Sequence, residues 1–243
     1  MRNNGFGARA TPAVPASAAR RTGPLMQAPS PPRSALPEHA LLLAAARAAL
    51  PSAQDVERVD GVDWDVFLAL AARNRLLPHA HLLLAARGEV PDAVRSRLRG
   101  AFLANGHQAL ALSAELRRLI GRMADEAVRA VAYKGPALAV RAYGHLALRT
   151  YSDLDLLVAP EDVPAAARVL EGGGYHSAYR FTPARDALFR RVDGDYPFVH
   201  EETGELVELH CRVSSLRFCI PLETAELMRR SRPVPLGGTE VPA

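Results

Sequence analysis

Ser152-Asp-Leu-Asp-Leu-Leu-Val158 decides how this chain is read. Its apolar content makes it a strand, and Ala159-Pro160 ends it. Successive strand residues point to opposite faces, so Asp153 and Asp155 share one face while Leu154 and Leu156 share the other. Two carboxylates about 7 Å apart along a strand are poorly suited to packing. They repel unless a cation or solvent lies between them, and a hard divalent ion such as Mg²⁺ favours this oxygen-only, partly hydrated setting. The plainer alternative is an edge strand whose aspartates face water.

The residues on either side favour the first reading. Upstream, Ala127–Tyr133 reads as a short buried strand running into Lys134-Gly135, and Pro136 suits the first position of a helix over Ala137–Tyr143. A strand–turn–helix of this kind presents backbone N–H groups and a helix N-terminus to phosphate. Lys134 would add a point charge. A surface lysine is the ordinary alternative, but of 30 Lys+Arg residues Lys134 is the one lysine, leaving 29 arginines. Arg149 and Ser152 stand just before the aspartates and could reach the same phosphates, or be solvated loop residues. Downstream, Val207-Glu-Leu-His210 alternates in the same way, with Glu208 and His210 on one face. If that strand lies beside the first, Glu208 supplies a third acid, and three carboxylates suffice to hold two metal ions for in-line phosphoryl chemistry. His210 is a possible accessory, or a core histidine.

Between these segments the pattern gives a helix over Glu161–Glu171 closed by Gly172–Gly174, a strand over Tyr175–Phe181, a short helix near Pro183–Arg191 and a strand over Tyr196–His200. A turn at Glu201–Gly204 leads to a last strand over Glu205–Val213. The order predicts a mixed sheet with helices on one side. Before it, residues 38–126 read as all-helical: His39–Leu50 stopped by Pro51, Asp63–Arg75 with Trp64, Phe67, Leu68 and Ala71 on one face, Leu76–Arg87, and a long helix over Asp92–Glu126. The expected class is therefore α+β, divided into a 1–37 tail, a 38–126 helical domain and a 127–243 α/β core. The tail is rich in Pro, Ala, Ser and Arg with no acid before Glu38, so it is expected to be disordered. An overextended start, with Met26 as the initiator, is the alternative.

Composition removes several classes. No run of 18 apolar residues exists to span a bilayer, so no membrane role is expected. The net charge of +4 suits a polyanionic ligand, yet no basic stripe with interleaved aromatics marks a dedicated nucleic-acid binder. Cys211 and Cys219 match no zinc spacing, and Met1–Pro37 has no apolar leader, so a reduced, cytoplasmic protein is expected.

Taken together, Lys134-Gly-Pro-Ala-Leu-Ala-(x)₃-Tyr143, Arg149-(x)₃-Asp153-Leu-Asp-Leu-Leu-Val158, Gly174-Tyr175 and Val207-Glu-Leu-His210 resemble the uncharacterised bacterial nucleotidyltransferase family of the DNA polymerase β-like superfamily. The resemblance covers about residues 38–240. It implies a polymerase β-like core and metal ligation by Asp153 and Asp155, with Glu208 as the third acid and two Mg²⁺ ions. Lys134 and Gly135 stand where related transferases carry a Gly-Ser phosphate-binding turn. Cys211 stands where the family has an aromatic residue, and the family pattern continues past Pro242 into a helical region, which implies truncation here. The expected function is Mg²⁺-dependent transfer of a nucleotidyl group from a nucleoside triphosphate to an unknown acceptor: a small molecule, a protein or RNA. The alternatives are a catalytically inert nucleotide- or protein-binding module (antitoxin-type or biosynthetic-cluster accessory) and a metal-dependent phosphohydrolase.

Overall fold

The structure, a computed structural model, describes residues 37–49, 59–218, 220 and 222–243. The expected disordered tail, apart from Pro37, lies outside these residues, as do the helix stop at Pro51 and Cys219. Four helices come first: α1 (Pro37–Arg47), α2 (Trp64–Arg73), α3 (Leu77–Leu84) and α4 (Asp92–Asp125). The Asp63 carboxylate accepts hydrogen bonds from the Asp65 and Val66 N–H groups, supplying partners for two donors that the start of α2 leaves orphaned. At the other end Arg75 takes φ +60, with Leu76 N–H donating to Ala71 C=O and Arg75 N–H to Ala72 C=O. This closure usually falls to glycine.

The 34-residue α4 joins two hydrophobic clusters. Val94 and Leu98 in its first half pack with Phe67, Leu68, Ala80 and Leu84 of α2 and α3. Leu112, Leu116, Leu119 and Met123 in its second half pack against the sheet. It closes as α2 does: Ala127 has φ +57, Val128 N–H bonds back to Met123 C=O, and the chain leaves in a new direction. That reversal shortens the expected Ala127–Tyr133 strand to β1 (Ala130–Ala132).

The chain continues through α5 (Gly135–Tyr143), β2 (Asp153–Val158), α6 (Val163–Glu171), β3 (Tyr175–Ser177), α7 (Pro183–Val192), β4 (Asp195–His200) and β5 (Leu206–His210). Short 3₁₀ turns at Leu146–Leu148 and Pro160–Asp162 precede β2 and α6. The sheet order is β1-β2-β5-β4-β3, and every pair is antiparallel except β2–β5, which runs parallel. Leu154, Leu156, Val207 and Leu209 bury one face against α4, α5 and α6, so the mixed sheet and α+β class are as the patterning predicts.

Past the last strand expected from the sequence, α8 (Thr224–Arg230) and the hairpin β6 (Pro233–Leu236) and β7 (Thr239–Pro242) complete the fold. Met228 of α8 meets Val131 and Leu157 on the other face of the sheet, covering its β1–β2 edge. The hairpin joins the main core through Val234, Leu236 and Val241, and Arg117 of α4 donates to its turn at the Gly237 carbonyl. Among the described residues no helix is long and apolar enough to cross a membrane.

Candidate active site

Alternation in β2 puts Leu154 and Leu156 into the helix-covered core, so Asp153 and Asp155 must face the other way. Parallel pairing then sets Asp155 level with Glu208 and Leu157 level with His210. Asp155, Glu208 and His210 each bring one ligand atom to a common point, all within 4.8 Å of one another. His210 Nε2 lies 3.0 Å from Asp155 Oδ1 and 3.4 Å from Glu208 Oε2.

Lys134 reaches the same carboxylate from the β1–α5 turn. Its Nζ donates to Asp155 Oδ1 at 2.6 Å. Gly135, the first residue of α5, has φ +50, a conformation in which glycine carries no Cβ penalty. The Tyr133 N–H bonds to the Asp155 carbonyl at 3.0 Å, extending the β1–β2 pairing up to the turn. The strand therefore aims the lysine, and the glycine lets the helix begin at once.

The other expected residues take different places. Asp153, half-buried at the start of β2 and level with Leu206, stands outside the Asp155–Glu208–His210 group, though its charge is felt at Glu208. Arg149 turns toward the lysine loop: its guanidinium lies 3.5 Å from the Gly135 carbonyl and over the Tyr151 ring at 5.5 Å. Asn105 of α4 holds the segment before β2 by donating to the carbonyls of Ala147 and Arg149. Ser152 is exposed. The group opens on a cleft of about 460 Å³ whose walls include Tyr133, Lys134, Tyr179, Phe189, Asp195, Glu208 and Arg212.

Residues 60–243 match the family described as "Uncharacterised nucleotidyltransferase". The chain belongs to this family. Neither a curated protein nor a solved structure matches it. Membership gives nucleotidyl transfer as the general chemistry and a nucleoside triphosphate as the donor class.

The electrostatics of the cleft follow from its packing. Burial works to raise the Asp155 carboxyl, but hydrogen bonds from His210 and Lys134, with their charges, outweigh it and hold the group below the usual carboxylate range. Burial likewise opposes the Lys134 charge, and the Asp155 hydrogen bond and charge more than offset it, so the ammonium sits above its ordinary value. Glu208 goes the other way. Burial raises it first, then the charges of Asp195 and Asp155, against a smaller pull from His210. One carboxylate of the pair is thus held ionised while the other is under pressure to take a proton.

Asp195 is the site residue that sequence reasoning missed. It pairs with His210 across β4–β5, and its Oδ1 lies 3.7 Å from His210 Nδ1. Reading the strand from Tyr196 cut it off by one residue, and alternation from Asp195 would have put it on the face of Glu208 and His210. Tyr133, whose ring meets the His210 ring edge-on at 5.6 Å, was likewise read as mere strand. Cys211 has a structural explanation. Its fully buried sulfur lies where a Cβ on Gly194 would come within 2.7 Å, so an aromatic side chain cannot be seated there without moving that turn. Burial pushes its thiol up to about 11, which keeps it protonated and unreactive.

Proposed function

We propose that this chain moves a nucleotidyl group from a nucleoside triphosphate to an acceptor hydroxyl or phosphate, with divalent metal held at the Asp155–Glu208 pair. The observation that carries the reading is the convergence of Asp155 and Glu208, from two strands, on an open cleft beside the chain's one lysine. The donor set fits a divalent ion: two carboxylates and an imidazole nitrogen lie within 4.8 Å of one another. Asp153, one turn of the pleat away, is proposed as the further acid of a site for two divalent ions. When bound, such ions lower the pKa of the attacking hydroxyl and stabilise the leaving pyrophosphate.

The chain's own residues supply the rest. Lys134, half-exposed at the cleft wall, offers its ammonium to the phosphates, and Gly135, Arg149 and Ser152 are proposed as further phosphate contacts. The acceptor oxygen bonds to the α-phosphorus, the α–β anhydride bond breaks, pyrophosphate leaves, and the acceptor proton passes to water. The acceptor class stays open between small molecule, protein and RNA, and the reaction suits a cytoplasmic protein supplied with triphosphates.

The test is incubation with Mg²⁺ or Mn²⁺ and each labelled triphosphate. Pyrophosphate release or self-labelling that Asp155→Asn lowers by about 100-fold or more supports the reading. No metal-dependent triphosphate binding, and no difference in the variant, would sink it. Release of inorganic phosphate without transfer would show a hydrolase instead.

A further inference from the structure

The histidine in this cluster is oriented as a ligand would be. His210 is 6% exposed, and a single nitrogen, Nε2, faces both Asp155 Oδ1 and Glu208 Oε2. The other nitrogen, Nδ1, faces Asp195 Oδ1, an oxygen shielded from solvent with no hydrogen-bond partner. The Tyr133 ring packs against the imidazole at 71° between the ring planes. A carboxylate behind one ring nitrogen, with anionic ligands in front of the other, is how proteins fix the tautomer and raise the basicity of a metal-binding imidazole.

We propose that this site takes a divalent transition-metal ion of the Mn²⁺ or Co²⁺ class, with His210 Nε2 as its nitrogen ligand beside Asp155 and Glu208, and with Asp195 as the positioning residue behind His210. The proposal rests on the reading of Asp155 and Glu208 as a metal site. Mg²⁺ prefers all-oxygen coordination and keeps several waters. A site of two carboxylates and one imidazole instead combines oxygen ligands that suit Mn²⁺ with a nitrogen that later first-row ions favour, affinity for such sites rising from Mn²⁺ to Co²⁺. With an ion bound, Asp195 would accept a hydrogen bond from Nδ1–H, keep the proton on that nitrogen and leave the Nε2 lone pair for the ion. An ion seated there would take over the negative charge that Lys134 now shares at Asp155 Oδ1, freeing the ammonium for phosphate.

The experiment uses the full chain, stripped with chelator and titrated with Mn²⁺ under electron paramagnetic resonance, with Mg²⁺ as competitor. The expected results are Mn²⁺ affinity about tenfold or more above that for Mg²⁺, and a ¹⁴N modulation in the spin echo of the bound ion. His210→Gln should abolish the modulation and cut Mn²⁺ affinity by about 10–100-fold while barely changing Mg²⁺ affinity. Asp195→Ala should weaken Mn²⁺ by about tenfold or more, and Asp195→Asn, which keeps an acceptor oxygen, should restore most of it. Bound Mn²⁺ without nitrogen coupling in the wild type overturns the proposal, as does equal affinity for the two ions. Either result leaves the transferase reading standing if pyrophosphate release remains sensitive to Asp155→Asn.

Discussion

Replacing Glu208 with glutamine should make the protein more stable and less useful. Ligand atoms of Asp155 and Glu208 lie no more than 4.8 Å apart. Two like charges at that distance repel by about 3.5 kcal/mol at an effective dielectric of ~20, and by about 0.9 kcal/mol in bulk water. The Glu208 side chain is 27% exposed and has His210 at 3.4 Å as partial compensation, so about 1–2 kcal/mol is the expected net relief. Glutamine keeps the shape and removes the charge. For a folded region of this size the melting temperature should rise by roughly 2–8 °C at pH 7.5 in chelator. Because burial and the neighbouring acids raise the Glu208 pKa in the folded state, its contribution is whole below the unfolded value, near 4.3, and is lost as pH rises through the folded value. The gap between variant and wild type should therefore be near zero at about pH 4 and widen toward pH 7.5. Saturating Mn²⁺ should reverse the order, since an ion at 100 times its dissociation constant stabilises the wild type by about 2.7 kcal/mol. Calorimetric melts across pH, with and without metal, read all of this. A glutamine variant no more stable than the wild type at pH 7.5 in chelator would refute the repulsive cluster.

Two further outcomes follow from elements away from the cleft. Ala127 holds φ +57 at an exposed helix end, so Ala127→Gly should stabilise by about 0.5–1 kcal/mol in urea denaturation, where an ordinary alanine-to-glycine change destabilises. Burial works to raise Glu115, but Arg118 and the buried Tyr175 hydroxyl hold it below its usual value. A lowered carboxyl contributes stability above its unfolded pKa and loses it as pH falls through the folded value. Glu115→Gln should thus cost about 1–2 kcal/mol at pH 7 and progressively less below about pH 4, as measured by denaturant midpoints; a pH-independent cost would count against the network.

The site's phase was legible because alternation is a local rule. Asp153, Asp155, Glu208 and His210 could be assigned to one face from spacing alone. Which of them meet was not, because that depends on β2 pairing in parallel with β5, a partnership between segments some fifty residues apart that nothing local announces. It is this pairing that brings Glu208 and His210 to Asp155 and leaves Asp153 one pleat away. Side-chain hydrogen bonds overrode propensity elsewhere: the expected Tyr175–Phe181 strand ends at Ser177, whose Oγ bonds to both the N–H and the C=O of Tyr179 and turns the chain. The C-terminal hairpin hid behind Pro233, Pro235 and Pro242, residues that fit a strand only at an edge or end, which is where β6 and β7 lie. Family membership agrees with what the motifs implied about the reaction in general.

Strand β5 is clasped between β2 and β4. A slip of one residue along either neighbour would swing Glu208 and His210 into the helices and push Val207 and Leu209 out to water. The carboxylate cluster and the hydrophobic core are thus two readings of one alignment, and a one-residue slip loses both together. Exchange of side chains changes the cluster without disturbing that alignment. A relative that still folds but lacks Asp155 or Glu208 would have altered the proposed site residue by residue, on an unchanged frame.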